Sequence, residues 1–342
     1  MIIDCFPDRV ITVNGKPFLY FGGTSYLALT INQDFQNNLI TGIKNWGTAY
    51  GSSRNSNIKL AIYNQAEEKF SELINAEATS LCSSGTLAGK IVIGFLSKEN
   101  STFYHLPKTH PAILHKDSSP VFLNNTLHPN LLNNTVEHVV ISADAILALE
   151  VKPTSFEFLN EISSKKKITL IVDESHSLGI IGKHLNGVFS SISNKKLYRK
   201  VMVSSLGKAL GMPGGIIAAD SEFIDLLKDE TDFISSSSIS PAYLEAFLLS
   251  QDIIKKQRKK LDENLSFIFD NLTLNSCFKF NKNYPVIYCE NQKINKYLKE
   301  NDIIVTNFKY PTYKTKMNRI IISSNHTKHD LNRLKQALIT FN

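Results

Sequence analysis

The chain has 342 residues, 42% of them hydrophobic and 20% charged, with a net charge of +7. That length buries a large core and suits one large domain with a smaller one, and the composition is ordinary for a soluble globular protein. The longest apolar runs fall far short of the ~20 residues of a membrane span, which excludes a membrane-spanning helix.

The N-terminus, Met1-Ile2-Ile3-Asp4-Cys5, lacks the basic and apolar regions of a signal peptide. Cys5, Cys82, Cys277 and Cys289 are scattered, with no metal-type spacing and no disulfide framework, so a reducing cytoplasm is the expected location and no metal is expected. Lysine clusters at Lys165–Lys167 and from Lys255 to Lys260 read as solvated helix faces, with attraction of an anionic partner as the alternative. No basic stripe interleaved with aromatics points to nucleic acid.

In chain order, Val10–Val13 and Phe18–Phe21 flank Asn14-Gly15, a hairpin signal. Residues 33–46 and 61–75 carry helical periodicity. From about 79 to 220, β-like runs (Val139–Ile141, Ile168–Val172, Val201–Val203) alternate with helical stretches, Phe156–Ser164 among them. That alternation predicts an α/β domain around a mostly parallel sheet, with ligands bound beyond the strands' carboxyl ends. Residues 241–271 read as one long helix, followed by strands at Val286–Tyr288, Ile303–Val305 and Ile320–Ile322 and a last helix at His329–Thr340. The expected division is an N-terminal segment (1–30), a large α/β domain (31–243) and a small α+β domain (244–342).

The most informative stretch is Ser204-Ser205-Leu206-Gly207-Lys208-Ala209-Leu210-Gly211-Met212-Pro213-Gly214-Gly215. It places a lysine among small residues directly after a strand. A buried lysine deprotonates readily and forms Schiff bases. Asp173 and His176, in Asp173-Glu174-Ser175-His176-Ser177-Leu178-Gly179, also follow a strand and can converge on the same strand ends.

Asp173-x-x-His176-Ser177-x-Gly179-x-x-Gly182 together with Lys208-Ala209-x-Gly211-x-x-Gly214-Gly215 resembles the α-oxoamine synthases, acyltransferases that use pyridoxal phosphate and have fold type I. The resemblance runs from about residue 18 to the C-terminus and implies a role for each matching residue. Lys208 would carry the cofactor as a Schiff base and move protons at the substrate α-carbon. Asp173 would keep the ring nitrogen protonated, and His176 would lie near the ring oxygen. Ser84-Gly85-Thr86, opening a helix, would cradle the phosphate with Ser205. Ser237 and Ser238, in Ser236-Ser237-Ser238-Ile239-Ser240-Pro241-Ala242, would reach the phosphate of a neighbouring subunit, which implies a homodimer. His110 matches the family's stacking histidine, with His105 and His115 nearby, and His128 is read as structural. Arg319 would bind the substrate carboxylate through its planar fork. Arg54 matches a second active-site-loop residue, and Tyr26 falls in the family's N-terminal Asn-x-Tyr-Leu-Gly segment, here Thr24-Ser25-Tyr26-Leu27-Ala28, on the substrate side.

Three departures stand out. The family's Thr-Glu-Gly-x-x-Ser-Met-Asp-Gly segment reads Ile141-Ser142-Ala143-Asp144-Ala145-Ile146-Leu147-Ala148-Leu149, in a register that puts Ser142 at the acidic position and Ile146 at the serine. The N-terminal motif is altered, and Ile58 replaces a glycine after Arg54. The resemblance implies condensation of an α-amino acid with an acyl thioester of coenzyme A or a carrier protein, with decarboxylation to an α-amino ketone. The alanine-using oxononanoate synthase branch is the first expectation. The alternatives are an aminotransferase or other α-carbon chemistry, and a non-catalytic ligand-binding descendant.

Overall fold

The computed structural model describes residues 1–309 and 315–341. The predicted hairpin forms from β1 (Val10–Val13) and β2 (Lys16–Phe21). The strands that follow are β3 (Ala78–Cys82), β4 (Ser101–His105), β5 (Ser119–Pro120) and a two-residue hairpin of β6 (Phe122–Leu123) with β7 (Thr126–Leu127). Next come β8 (Glu137–Asp144), β9 (Lys166–Asp173), β10 (Arg199–Ser205) and β11 (Gly215–Ala219). The last four are β12 (Phe278–Phe280), β13 (Val286–Cys289), β14 (Ile303–Phe308) and β15 (Met317–Ile321).

The large sheet has seven strands in the order β3-β11-β10-β9-β8-β4-β5. Only β11 runs against its neighbours, so the expected mostly parallel sheet is present. Its central strands are apolar and fully buried at Val139–Ile141, Leu170–Val172 and Val201–Val203, as a sheet covered on both faces requires. The small sheet has the order β1-β2-β14-β15-β13-β12. β2 lies parallel to β14, so the N-terminal hairpin extends a sheet built mainly from the C-terminal part of the chain.

Two expectations need correction. Phe156–Ser164 is not a connecting α-helix: only Glu157–Glu161 turns, as a short 3-10 segment that buries Phe158 and Leu159 against the sheet. The stretch 241–271 is two helices, Pro241–Leu249 and Gln251–Phe269, broken at the fully buried Ser250. There the backbone leaves helical geometry, and the hydroxyl accepts a 2.9 Å hydrogen bond from Asn38 Nδ2.

The helix Gln33–Trp46 packs on Pro241–Leu249 at Gly42, where a Cβ would meet the Ala242 carbonyl oxygen at 2.4 Å. Beside this contact Phe70 and Phe247 stack with centroids 4.1 Å apart, both buried. Phe247→Ala is expected to lower unfolding stability by about 3–5 kcal/mol, the range for emptying a buried aromatic site. Urea denaturation of the two proteins measures it.

Candidate active site

Three parallel strands carry the site. Their register sets Asp144 at the end of β8 beside Asp173 at the end of β9, and Asp173 beside Val203 on β10. The chain leaves β10 through Ser205 and reaches Lys208 three residues later. A cavity of about 900 Å³ opens beyond these strand ends, and its lining includes His110, Asp144, Asp173, His176, Lys208 and Arg319. A second cavity of about 950 Å³, around Lys183, His184 and Lys195, contains none of these groups.

The electrostatics favour a reactive amine. Burial lowers the pKa of Lys208 from the ordinary lysine value; Asp173 and Asp144 oppose that shift, and Arg319 adds to it. Burial also lowers His110, with Asp173 opposing and Lys208 reinforcing. His176 is held well below the ordinary histidine range, by burial first and then by Lys208 and Arg319. Both imidazoles are therefore neutral at pH 7, suited to hydrogen bonding and stacking.

Each group is fixed from behind. Asp173 Oδ1 accepts from the Ser175 N–H at 2.8 Å. Tyr26 Oη lies 2.9 Å from His176 Nδ1, and Tyr284 Oη donates to the His176 carbonyl at 3.2 Å. Tyr26 is fully buried beneath His176, not on the cavity wall, and burial pushes its phenol up to about 12. Arg319 projects from β15, buried, with Nη2 3.4 Å from the Gly23 carbonyl oxygen it donates to.

The residues expected at the phosphate, Ser84, Gly85, Thr86 and Ser205, are outside that cavity's lining and meet at the N-terminus of the helix Gly85–Leu96. Ser84 caps the helix Gly85–Leu96, its Oγ accepting from the Leu87 N–H at 3.1 Å. A Cβ on Gly85 would meet the Ser205 nitrogen at 2.7 Å, and one on Gly215 would meet the Ser84 carbonyl oxygen at 2.2 Å. Glycine at both positions lets the helix N-terminus, the Ser205–Lys208 loop and β11 close together. Thr86 is exposed on the first turn. This cradle, an amine beyond it, a carboxylate at a strand end and a neutral imidazole fit pyridoxal phosphate, the cofactor that the resemblance implies. A helix N-terminus and hydroxyls suit its phosphate, and the carboxylate suits its ring nitrogen.

Among the three nearby histidines, His110 stands with Asp144 and Lys208 in the cavity. His105 lies at the cavity edge with its Nδ1 2.9 Å from Ser118 Oγ, and His115 stacks on Phe103 at 4.3 Å. His128 Nδ1 accepts from the Asn130 N–H at the start of a short helix. Arg54, Ser237 and Ser238, like Ser84, Gly85, Thr86 and Ser205, do not line the cavity. Arg54 Nη1 pairs with Glu67 Oε1 at 2.6 Å and its guanidinium covers Tyr63. Ser237 is exposed on the segment before Pro241.

Asp144 is a site residue that the sequence pattern does not mark: the motif register points to Ser142 as the acidic position, but Ser142 is buried in β8 and Asp144 lies in the cavity. Asp144 Oδ1 accepts from the His110 N–H at 3.0 Å. Burial and the Asp173 charge hold its pKa well above the usual carboxylate range.

Glu174 was also unmarked. Its buried carboxylate accepts from the N–H groups of Val188 (2.8 Å) and Phe189 (2.6 Å) and from the Ser177 hydroxyl, tying the loop after His176 to the segment 185–189. Burial raises its pKa from 4.5 to about 7. The folded protein thus keeps this proton between about pH 4.5 and 7, where the unfolded chain has released it. Stability is lost as pH rises through that window and stays lower above it. The expected contribution is about 3 kcal/mol, read as the wild-type minus Glu174→Gln difference in unfolding free energy at pH 5 and pH 8. A difference that does not change with pH would count against it.

Fold and site together define a fold type I transferase with a lysine pocket at the strand ends. The description "Aminotransferase class I and II" matches residues 152–338, and the chain belongs to that family. The 8-amino-7-oxononanoate synthase of Petrotoga mobilis is 27% identical over 94% of this chain and 87% of its own. The serine palmitoyltransferase of Sphingobacterium spiritivorum is 28% identical over 75% of this chain and 67% of its own. Among solved structures, the Sphingomonas wittichii serine palmitoyltransferase superposes with a TM-score of 0.79 at 16% identity, covering 97% of this chain and 89% of that one. The 8-amino-7-oxononanoate synthase of Francisella tularensis gives 0.69 at 24%, covering 94% and 96%. These structures share the fold.

Proposed function

We propose that this chain is a pyridoxal-phosphate-dependent C-acyltransferase of the α-oxoamine synthase type. It condenses an α-amino acid with an acyl thioester and releases carbon dioxide, giving an α-amino ketone. One observation carries the reading: Lys208, an amine with a lowered pKa, shares one cavity with the Asp173 carboxylate and the Arg319 guanidinium. The named relatives supply the reaction class.

Bound in the cavity, the cofactor supplies an electron-withdrawing ring that eases loss of the α-proton. The chain's residues do the rest. Lys208 would hold the cofactor through its amine and move the proton at the substrate α-carbon. Asp173 holds the ring nitrogen charged. His110, pinned by Asp144, and His176, pinned by Tyr26, offer neutral imidazoles to the ring and its oxygen. Ser84, Gly85, Thr86 and Ser205 hold the phosphate. Arg319 orients the amino-acid carboxylate.

Ser237 and Ser238 serve a site shared across a homodimer, and Arg54 serves the substrate side from an active-site loop. No helix among the described residues is long and apolar enough to cross a membrane, and the enzyme works in the cytoplasm.

The test supplies a panel of amino acids and acyl-coenzyme A thioesters to the holoprotein and follows free thiol and carbon dioxide. Thiol release that depends on one amino acid, alanine first, is expected. A keto acid formed from the amino acid without any thioester would make the enzyme an aminotransferase instead.

A further inference from the structure

Cys277 and Cys289, separated in the sequence, meet in the small sheet. Their Sγ atoms lie 3.5 Å apart. Cys277 stands just ahead of β12 and is half-buried, whereas Cys289 ends β13 and is buried. The backbone fixes them: Phe278 pairs with Cys289, and the Glu290 N–H donates to the Cys277 carbonyl at 2.9 Å. A disulfide needs about 2.05 Å between sulfurs, so closure must bring the two Sγ atoms closer than their 3.5 Å separation. Of the other two thiols, Cys5 is exposed and Cys82 is buried behind the Arg54–Glu67 pair.

The pair also reaches the cavity. Cys289 is part of its wall, beside Tyr288, which stands opposite Arg319 in the β13–β15 register. The Cys289 carbonyl accepts from Asn318 Nδ2 at 3.2 Å, and Asn318 adjoins Arg319.

We propose that Cys277 and Cys289 form a reversible thiol–disulfide site that takes low-molecular-weight disulfides, and that its closure stiffens the cavity wall at Arg319. The order of attack follows from exposure. Burial first, and then the contact with Cys277, push the Cys289 thiol up to about 12, so the accessible Cys277 reacts first. Its thiolate attacks one sulfur of the small disulfide; that S–S bond breaks and one thiolate leaves, taking up the proton Cys277 gave away. Cys289 then attacks the Cys277 sulfur, and the second small thiolate leaves with the Cys289 proton. Two protein thiols are oxidised to one disulfide, and the small disulfide is reduced to two thiols.

The full chain is incubated with oxidised glutathione, quenched by alkylation and read by peptide mass. The expected product is a 277–289 linkage lighter by two hydrogens, reversed by dithiothreitol. Cys289→Ser should stop at glutathione on Cys277, and Cys277→Ser should yield neither product at this pair. Glutathione on wild-type Cys277 that never resolves, or modification confined to Cys5, overturns the site. Hydrogen exchange of the bridged protein reads the wall: slower exchange across 286–289 and 317–321, lost on reduction, is expected. Unchanged exchange there overturns the coupling to Arg319.

Discussion

Lys208→Ala should lower thioester-dependent turnover by about four orders of magnitude or more, because it removes both the covalent attachment and the proton carrier. Lys208→Arg should be equally inactive. Arginine keeps the charge and length but neither forms a Schiff base nor gives up its proton. The two variants together separate chemistry from folding: both should melt near the wild type, and both should lack the visible absorbance of a lysine-bound cofactor. The starting point is the environment of the amine. Burial lowers its pKa, while Asp173 and Asp144 oppose that shift. Turnover in Lys208→Ala within ten-fold of wild type would remove the lysine from the chemistry.

Asp173→Asn should lower turnover by about three orders of magnitude, since an amide cannot hold a positive charge on a ring nitrogen. Asp144→Asn should cost at most about ten-fold, because Asp144 Oδ1 accepts from the His110 N–H, which an amide oxygen also does. The contrast tests the assignment: two neighbouring acids in one register, one acting through charge and one through a hydrogen bond. Equal losses at the two positions would contradict it.

The site's core was legible in the sequence for a local reason. Asp173, His176 and Lys208 each sit within a few residues of an apolar strand end, and a parallel sheet brings such ends together. Arg319 was legible from its string alone, Asn318 to Thr327. Asp144 was not, because the strand was ended at Ile141, where apolar residues stop. The sheet instead carries β8 through Ser142 and Ala143 to Asp144, paired with β9 residue for residue. Tertiary pairing outweighed local composition there. The 3-10 turn at Glu157–Glu161 and the break at Ser250 were illegible for the same reason: each depends on a surface supplied by another part of the chain. Arg54, Ser237 and Ser238 lie outside the cavity that holds Lys208.

The hairpin at the N-terminus carries a kinetic consequence. It finds its edge only on β14, and the Gly23 N–H bonds Thr306 Oγ1 across 283 residues of chain. During synthesis the hairpin therefore waits, with the β2 edge uncovered, until nearly the whole protein has left the ribosome. Tyr26, which steadies His176, follows directly on that hairpin. The catalytic pocket should thus be among the last parts to order. Slow steps of refolding should appear in recovery of activity well after the helical signal has returned.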